Sequence, residues 1–171
     1  MSLHSYPQIY QIGHRAISNL FNGEVVVQEK IDGSQFSWGV VDGELQARSK
    51  GKQLILDAPE KMFQKAVDFI RSIPRNSMVA GYVYRAEYCE KPKHNTLTYS
   101  RTPKNNLILY DISTGVEEYA IRAGLELQAE RLGLETVPEF FRGEITSFEQ
   151  FKELLERESC LGGTKIEGFV I

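Results

Sequence analysis

Lys30 closes the run Val25-Val26-Val27-Gln28-Glu29 and is followed at once by Ile31, Asp32 and Gly33. A lysine tail is long and strongly hydrated, so it ordinarily belongs on a solvated surface. One delivered by the end of a hydrophobic strand, just before a tight Asp-Gly turn, projects from a fixed backbone. An amine held that way can attack phosphorus and form a covalent phosphoramidate. It must first lose its proton, and neighbouring cations, a metal or desolvation can lower a lysine pKa from about 10.4 toward neutrality. Taken alone, Lys-x-Asp-Gly reads as a Lys-Asp surface pair at a strand end, so the rest of the chain has to decide.

Three further positions carry chemistry. Glu87 lies in Arg-Ala-Glu-Tyr, residues 85–88. Its carboxylate accepts hydrogen bonds and donates none while ionised; an ion pair with Arg85 is the plain reading. Tyr110, inside Ile-Leu-Tyr-Asp-Ile, offers a π-face on which a base could stack for roughly 1–3 kcal/mol, or simply fills a core. Glu167 sits beside Lys165 and ahead of Gly168-Phe169-Val170-Ile171, where the apolar run argues against a plain surface pair.

Residues 91–104 hold Lys91, Lys93, Arg101 and Lys104 with no acidic residue among them, and Pro92, Tyr99 and Pro103 suggest an extended loop. That loop either follows a phosphate backbone or is merely solvated. His14 reads as a satisfied structural histidine, Arg15 as a surface residue and Trp38 as core. No Gly-x-Gly-x-x-Gly, Walker, Ser/His/Asp or His-Glu-x-x-His pattern is present.

These residues need elements to position them. Residues 24–30, 34–41 and 44–48 read as strands, the last two joined by Asp42-Gly43, a strong hairpin signal. A helix is expected over 57–74, capped by Asp57 with Glu60 three residues on, its apolar face formed by Met62, Phe63, Ala66, Val67, Ile70 and Ile73. Residues 77–88 and 106–113 read as strands. A second helix is expected over 117–132, with Ile121, Leu125, Ala129 and Leu132 inward and Gly133 as its stop. A third starts at Thr146, which with Glu149 makes a capping box, and 165–171 is a final strand. Strands in runs, interrupted by separate helices, predict an α+β fold with mainly antiparallel sheets.

The 171 residues suit one domain, and 42% hydrophobic with 25% charged residues is ordinary for a globular protein. A net charge of −3 excludes a global positive field for nucleic acid but leaves room for a local groove. Cys89 and Cys160 lack metal-ligand spacing and read as reduced thiols, consistent with a cytoplasmic protein. No run is long enough to span a bilayer, and no secretory signal or membrane partner is expected. Because Ile171 falls inside an apolar strand pattern, a truncated protein or a cut at a domain boundary is expected.

Glu-Lys-Ile-Asp-Gly-Ser-Gln-Phe, Arg-Ser-Lys-Gly (48–51), Arg-Ala-Glu-Tyr (85–88), Ile-Leu-Tyr-Asp-Ile (108–112) and Ile-Glu-Gly-Phe-Val-Ile (166–171) resemble, in order and spacing, the conserved elements of the covalent nucleotidyltransferases. That family comprises RNA ligases, DNA ligases and mRNA capping enzymes. The resemblance spans nearly the whole chain from Lys30 onward. It implies a nucleotidyltransferase, ATP-grasp-like domain in which two mainly antiparallel sheets, flanked by helices, hold a nucleotide between them.

By the same resemblance Lys30 becomes covalently linked to AMP, and Glu29, Ile31, Arg48, Glu87, Tyr110 and Glu167 bind the nucleotide. Arg48 would lie near the nucleotide or an incoming 5′-phosphate, Glu87 on the ribose, Tyr110 on the purine. Glu167, with Glu87 as second choice, would help hold Mg²⁺ or Mn²⁺. DNA ligases and capping enzymes place an arginine two residues after the Asp-Gly, where this chain has Gln35; the pattern is more similar to RNA ligases of the phage end-repair and kinetoplastid-editing type. ATP is therefore the expected donor. RNA with 5′-phosphate and 3′-hydroxyl ends is the expected partner, with Lys91, Lys93, Arg101 and Lys104 as candidate RNA contacts.

The family's last element, a strand with paired lysines, has no counterpart before Ile171. A single adenylation domain without that strand or a C-terminal domain is thus expected over 1–171, working with a further domain or a repair-enzyme partner. Two alternatives stay open: a DNA ligase-like nick-sealing enzyme, and a catalytically incomplete adenylate- or RNA-binding module.

Overall fold

The computed structural model describes residues 2–171. Its strands form two sheets. The smaller has β1 (Val25–Lys30) at its centre, antiparallel to both β8 (Glu139–Gly143) and β9 (Gly168–Val170). The larger runs in the order β3 (Glu44–Ser49), β2 (Ser34–Val41), β4 (Val83–Tyr88), β5 (Leu107–Gly115), β6 (Glu118–Tyr119), all antiparallel, with β7 (Glu135–Thr136) added parallel to β5. The α+β class and the mainly antiparallel sheets are those the sequence predicts.

Local chemistry explains most boundaries. Asp42 and Gly43 both have positive φ, 52° and 80°, the backbone that a two-residue hairpin between β2 and β3 requires. The first helix is shorter than expected: a 3₁₀ turn over Lys61–Phe63 leads into α1 (Gln64–Ser72). Asp57 does not cap it but forms an ion pair with Arg71, and Met62 stays exposed while Phe63, Ala66, Val67, Ile70 and Ile73 are buried.

Residues 77–82 turn through Gly81 before β4 begins. The second helix, α2 (Arg122–Leu132), also starts later than expected, because Glu118–Tyr119 pair with β5 instead; Ile121 is left 77% exposed. Gly133, at φ 71°, ends it as expected. In α3 (Phe148–Leu155) the capping box is one residue later than the sequence reading, Ser147 with Gln150.

The main core lies between one face of the larger sheet and α1 with α2, where Phe36, Trp38, Tyr84, Tyr88 and Leu109 meet Val67, Ile70 and Leu125. A second core, Val25 and Val27 with Ile145, Phe151 and Leu154, holds α3 on the smaller sheet. Burying one face of each sheet this way leaves the other face of the larger sheet, with alternate residues of β2, β4 and β5, free to build a site.

Candidate active site

β1 ends where the smaller sheet passes the chain to the larger one. Glu29 is 2% and Ile31 5% exposed, so both neighbours of Lys30 are anchored while Lys30 itself points out. Ile31 enters a small core with Cys89, Tyr99, Ile108, Val137 and Leu161. The Glu29 carboxylate accepts hydrogen bonds from Ser159 Oγ and, at 3.0 Å, from the Cys160 N–H, so its side chain is committed to fixing β1. Lys30 faces Gly168 in the ladder, and its Nζ lies 2.6 Å from Glu167 Oε2.

The turn after Lys30 is clamped from outside. Buried Asp32 accepts the N–H groups of Thr96 at 2.7 Å and Leu97 at 2.6 Å and the Asn95 side-chain amide at 3.2 Å. Its own N–H donates to Tyr99 Oη at 2.8 Å, and Asn95 also donates to the Gly33 carbonyl at 2.7 Å. Burial pushes the Asp32 carboxyl up, but the Leu97 and Thr96 amides, Asn95 and the Lys30 charge outweigh it and hold it below the usual value. Gly33 is demanded by space: a Cβ there would lie 2.6 Å from the Tyr88 carbonyl and 2.8 Å from Cys89 Sγ.

The basic stretch is therefore not a free loop. Its middle fastens the turn, and Ser34 Oγ and His94 Nε2 are 2.9 Å apart alongside. Arg101 forks onto Glu135 at 2.9 and 2.7 Å, and the Lys104 N–H donates to the same carboxylate, so the Arg101 charge is already matched. Lys91 and Lys93 remain exposed.

Gln35, Glu87 and Ile108 are register neighbours across β2, β4 and β5 on the face of the larger sheet turned away from α1 and α2, where Ile108 already belongs to the small core. Burial raises the Glu87 carboxyl to about 8; Lys30 and the Gly33 N–H pull it down, while Glu167 and Asp32 push it up. Lys30, Asp32 and Glu167 thus all act electrostatically on the Glu87 carboxyl.

Tyr110 enters that face through a bulge. Ala86 faces Leu109 and Arg85 faces Asp111, so Tyr110 is the extra residue and projects to the same side as Asp111. It is half-buried, its Oη accepts a hydrogen bond from Gln35 Nε2 at 2.7 Å, and the Tyr6 ring meets it edge-on at 5.2 Å. Arg48, on β3, is half-buried with Nη1 donating to the Leu3 carbonyl at 2.6 Å.

Among the described residues no three His, Cys, Asp or Glu side chains form a metal cluster. A hard divalent cation that also binds substrate phosphates needs only one or two carboxylates. Glu87 and Glu167 fit that need: they repel one another, and the suppressed ionisation of Glu87 is what a cation would relieve.

Of the residues expected at the site, Lys30, Glu87 and Glu167 come together, with Tyr110 on the same face as Glu87. Glu29 and Arg101 are held by structural partners. The sequence pattern gave Tyr6 and Asn95 no role, Gln35 only a place in the branch motif and Asp32 only a turn; the Arg85–Glu87 ion pair it offered does not form, because Arg85 donates to Ser113 Oγ and the His4 carbonyl instead. The one available signal was the break in the β5 pattern, where the apolar alternation Leu107, Leu109 resumes at Ile112 rather than at 111.

No curated protein sequence matches the chain. Among solved structures it is similar to an RNA ligase of Naegleria gruberi. A mutant of that ligase with ATP and Mn matches at TM-score 0.70 and 16% identity over 90% of this chain and 47% of the ligase. A second mutant with ATP and Mn matches at 0.71 and 14% over 97% and 52%, and an apo mutant at 0.70 and 16% over 99% and 54%. The chain thus spans about half the length of the ligase it matches, and this likeness establishes the fold. The sequence adds the family: residues 23–171, from just ahead of β1 through β9, match the RNA ligase family model, and the chain belongs to the RNA ligase family.

Proposed function

We propose that the chain is the adenylation domain of an ATP-dependent RNA ligase, with Lys30 as its nucleophile. The observation that carries this reading is the Lys30–Glu167 contact at 2.6 Å, with both charges acting on the nearby Glu87 carboxyl, in a chain of the RNA ligase family. An ammonium bonded to a carboxylate has no lone pair for attack. Once Glu167 is drawn away, the amine can pass its proton to water while the turn clamp keeps it aimed, which spares the entropy of finding the reacting geometry.

Lys30 Nζ then forms the N–P bond to the α-phosphorus of ATP as the bond to the pyrophosphate oxygen breaks. Tyr110 stacks on adenine and Glu87 accepts from the ribose or turns to the cation. Mg²⁺ or Mn²⁺ held by Glu167 and Glu87 would supply charge neutralisation on the triphosphate. AMP passes from Lys30 to an RNA 5′-phosphate, and a 3′-hydroxyl displaces AMP to close the strand. Exposed Lys91 and Lys93 supply backbone attraction for RNA. We assign the remaining grip to a further domain or a repair-enzyme partner, and the setting to the cytoplasm, where Cys89 and Cys160, both free, stay reduced.

The test is to supply 5′-phosphorylated RNA, or DNA of the same sequence, with ATP and Mn²⁺ and follow AMP on the 5′ end. Adenylylated RNA formed in preference to DNA is expected. Transfer to DNA alone would move the chain to the DNA-sealing reading, and nucleotide binding without transfer to either would make it a binding module.

A further inference from the structure

Arg85 carries its charge at zero exposure. Its Nε donates to Ser113 Oγ at 3.2 Å and its Nη1 to the His4 carbonyl at 3.0 Å, while Nη2 has no acceptor. Arg48 is bound in the same manner, through Nη1 to the Leu3 carbonyl. Ser37 faces both arginines in the β3–β2–β4 ladder, so they flank one strand on one face of the sheet.

Among the described residues neither guanidinium has a carboxylate within ion-pair distance. Asp111, which faces Arg85 in the β4–β5 ladder and feels its charge, accepts its hydrogen bonds from Tyr6 Oη and the Ile112 N–H, both at 2.8 Å. Fully buried Arg85 and half-buried Arg48 thus spend guanidinium donors on neutral carbonyls, with Asp111 acting on Arg85 only from beyond ion-pair distance, an arrangement that a closer anion relieves. A phosphate group, with several charged acceptor oxygens, suits a guanidinium fork far better than a single carbonyl.

The carbonyls belong to a segment held by side-chain contacts at Leu3, His4 and Tyr6 and by no sheet or helix pairing. Residues 2–10 form no helix or strand. Leu3, 2% exposed, is a plug beside Gly39, and Tyr6 hydrogen-bonds Asp111 with its ring 5.7 Å from the Arg85 guanidinium. Pro7 to Tyr10 are exposed, and a cavity of about 340 Å³ lies between this segment and Tyr119 and Phe169.

We propose that Leu3–Tyr6 form an autoinhibitory strap over a two-arginine phosphate site, in which the Leu3 and His4 carbonyls occupy donors of Arg48 and Arg85 that a phosphate group takes when the strap lifts. Arg85, which the sequence suggested only as an ion-pair partner of Glu87, is the half of this pair without an expected phosphate role. The phosphate comes from a nucleic-acid 5′ end or a nucleoside triphosphate, a choice that rests on the ligase reading above.

The experiment compares the parent, Leu3→Ala, which loosens the plug, and Leu3→Ala/Arg85→Gln. Binding of a 5′-phosphorylated oligoribonucleotide, its 5′-hydroxyl counterpart and ATP is measured for each, with thermal melting as the fold control. Leu3→Ala is expected to bind one phosphate-bearing ligand about tenfold more tightly, with the 5′-hydroxyl strand unchanged and the gain lost in the double variant. Whether the strand or ATP gains identifies the source.

Should Leu3→Ala not fold, Leu3→Val shortens the plug by less and is expected to shift affinity in the same direction. Unchanged phosphate affinity in a folded plug variant, an equal gain for the 5′-hydroxyl strand, or a gain that survives Arg85→Gln would overturn the proposal. A strap that behaves as expected in a chain whose Lys30 never carries AMP would sink the ligase reading alone.

Discussion

Lys30 Nζ and Glu167 Oε2, 2.6 Å apart, join the end of β1 to the residue that enters β9. The pair keeps the amine bonded to a carboxylate beside the β1–β9 ladder. Glu167→Gln keeps the shape and removes the charge. It frees the amine but removes a charge that would hold the cation, and the net effect expected is a roughly 100-fold slower lysyl-AMP formation, the usual cost of losing one electrostatic group at a reacting centre. Single-turnover mass measurements check this, and an unaltered rate would remove Glu167 from the chemistry.

Asp32 holds the turn through three hydrogen bonds to residues 95–97. Asp32→Ala is expected to destabilise the fold by roughly 2–4 kcal/mol, the loss of charge-assisted bonds at a buried position. Because its pKa is lowered in the folded chain, its stabilisation is full above the unfolded value of 3.8 and is lost as pH falls through the lower folded value. Urea melts of parent and variant should therefore converge in acid. A constant gap between them at every pH would contradict the clamp.

Gly33→Ala places a methyl group against the Tyr88 carbonyl and Cys89 Sγ. Overpacking of this kind costs about 1–3 kcal/mol, and the displaced turn should also cut adenylylation. A variant with parental melting temperature and rate would show that the turn has slack.

Glu87 behaves with the opposite sign to Asp32. Its carboxyl is raised from 4.5 to about 8, so the folded chain binds the extra proton, and stability falls as pH rises from near 4.5 to about 8. Glu87→Gln is expected to flatten this slope and gain stability at pH 8 while weakening metal-dependent nucleotide binding. Melting curves between pH 5 and 9 decide it; an unchanged slope would mean that another group sets it.

Periodicity and turn chemistry made β1, the β2–β3 hairpin and the α2 stop at Gly133 legible in advance, because each is fixed by local residues. The small sheet was only half visible: Glu139–Gly143 has no clear alternation and becomes a strand by pairing with β1. Lys30, Glu87, Tyr110 and Glu167 stood out through family-like motifs. What those motifs could not show was the matching of charges far apart in sequence. Arg101 looked free for nucleic acid until Glu135 was placed beside it, and Asn95 to Leu97 looked like a loop until Asp32 met their amides. Tyr110 and Asp111 share a face only because a bulge breaks the two-residue period.

The most direct test is the intact mass of the protein before and after incubation with ATP and Mg²⁺ or Mn²⁺, with Lys30→Ala alongside. The parent is expected to gain one AMP through an acid-labile bond mapped to the Lys30 peptide, and the variant none. A parent that binds ATP yet never gains mass, or an adduct that persists in Lys30→Ala, would contradict Lys30 as the nucleophile.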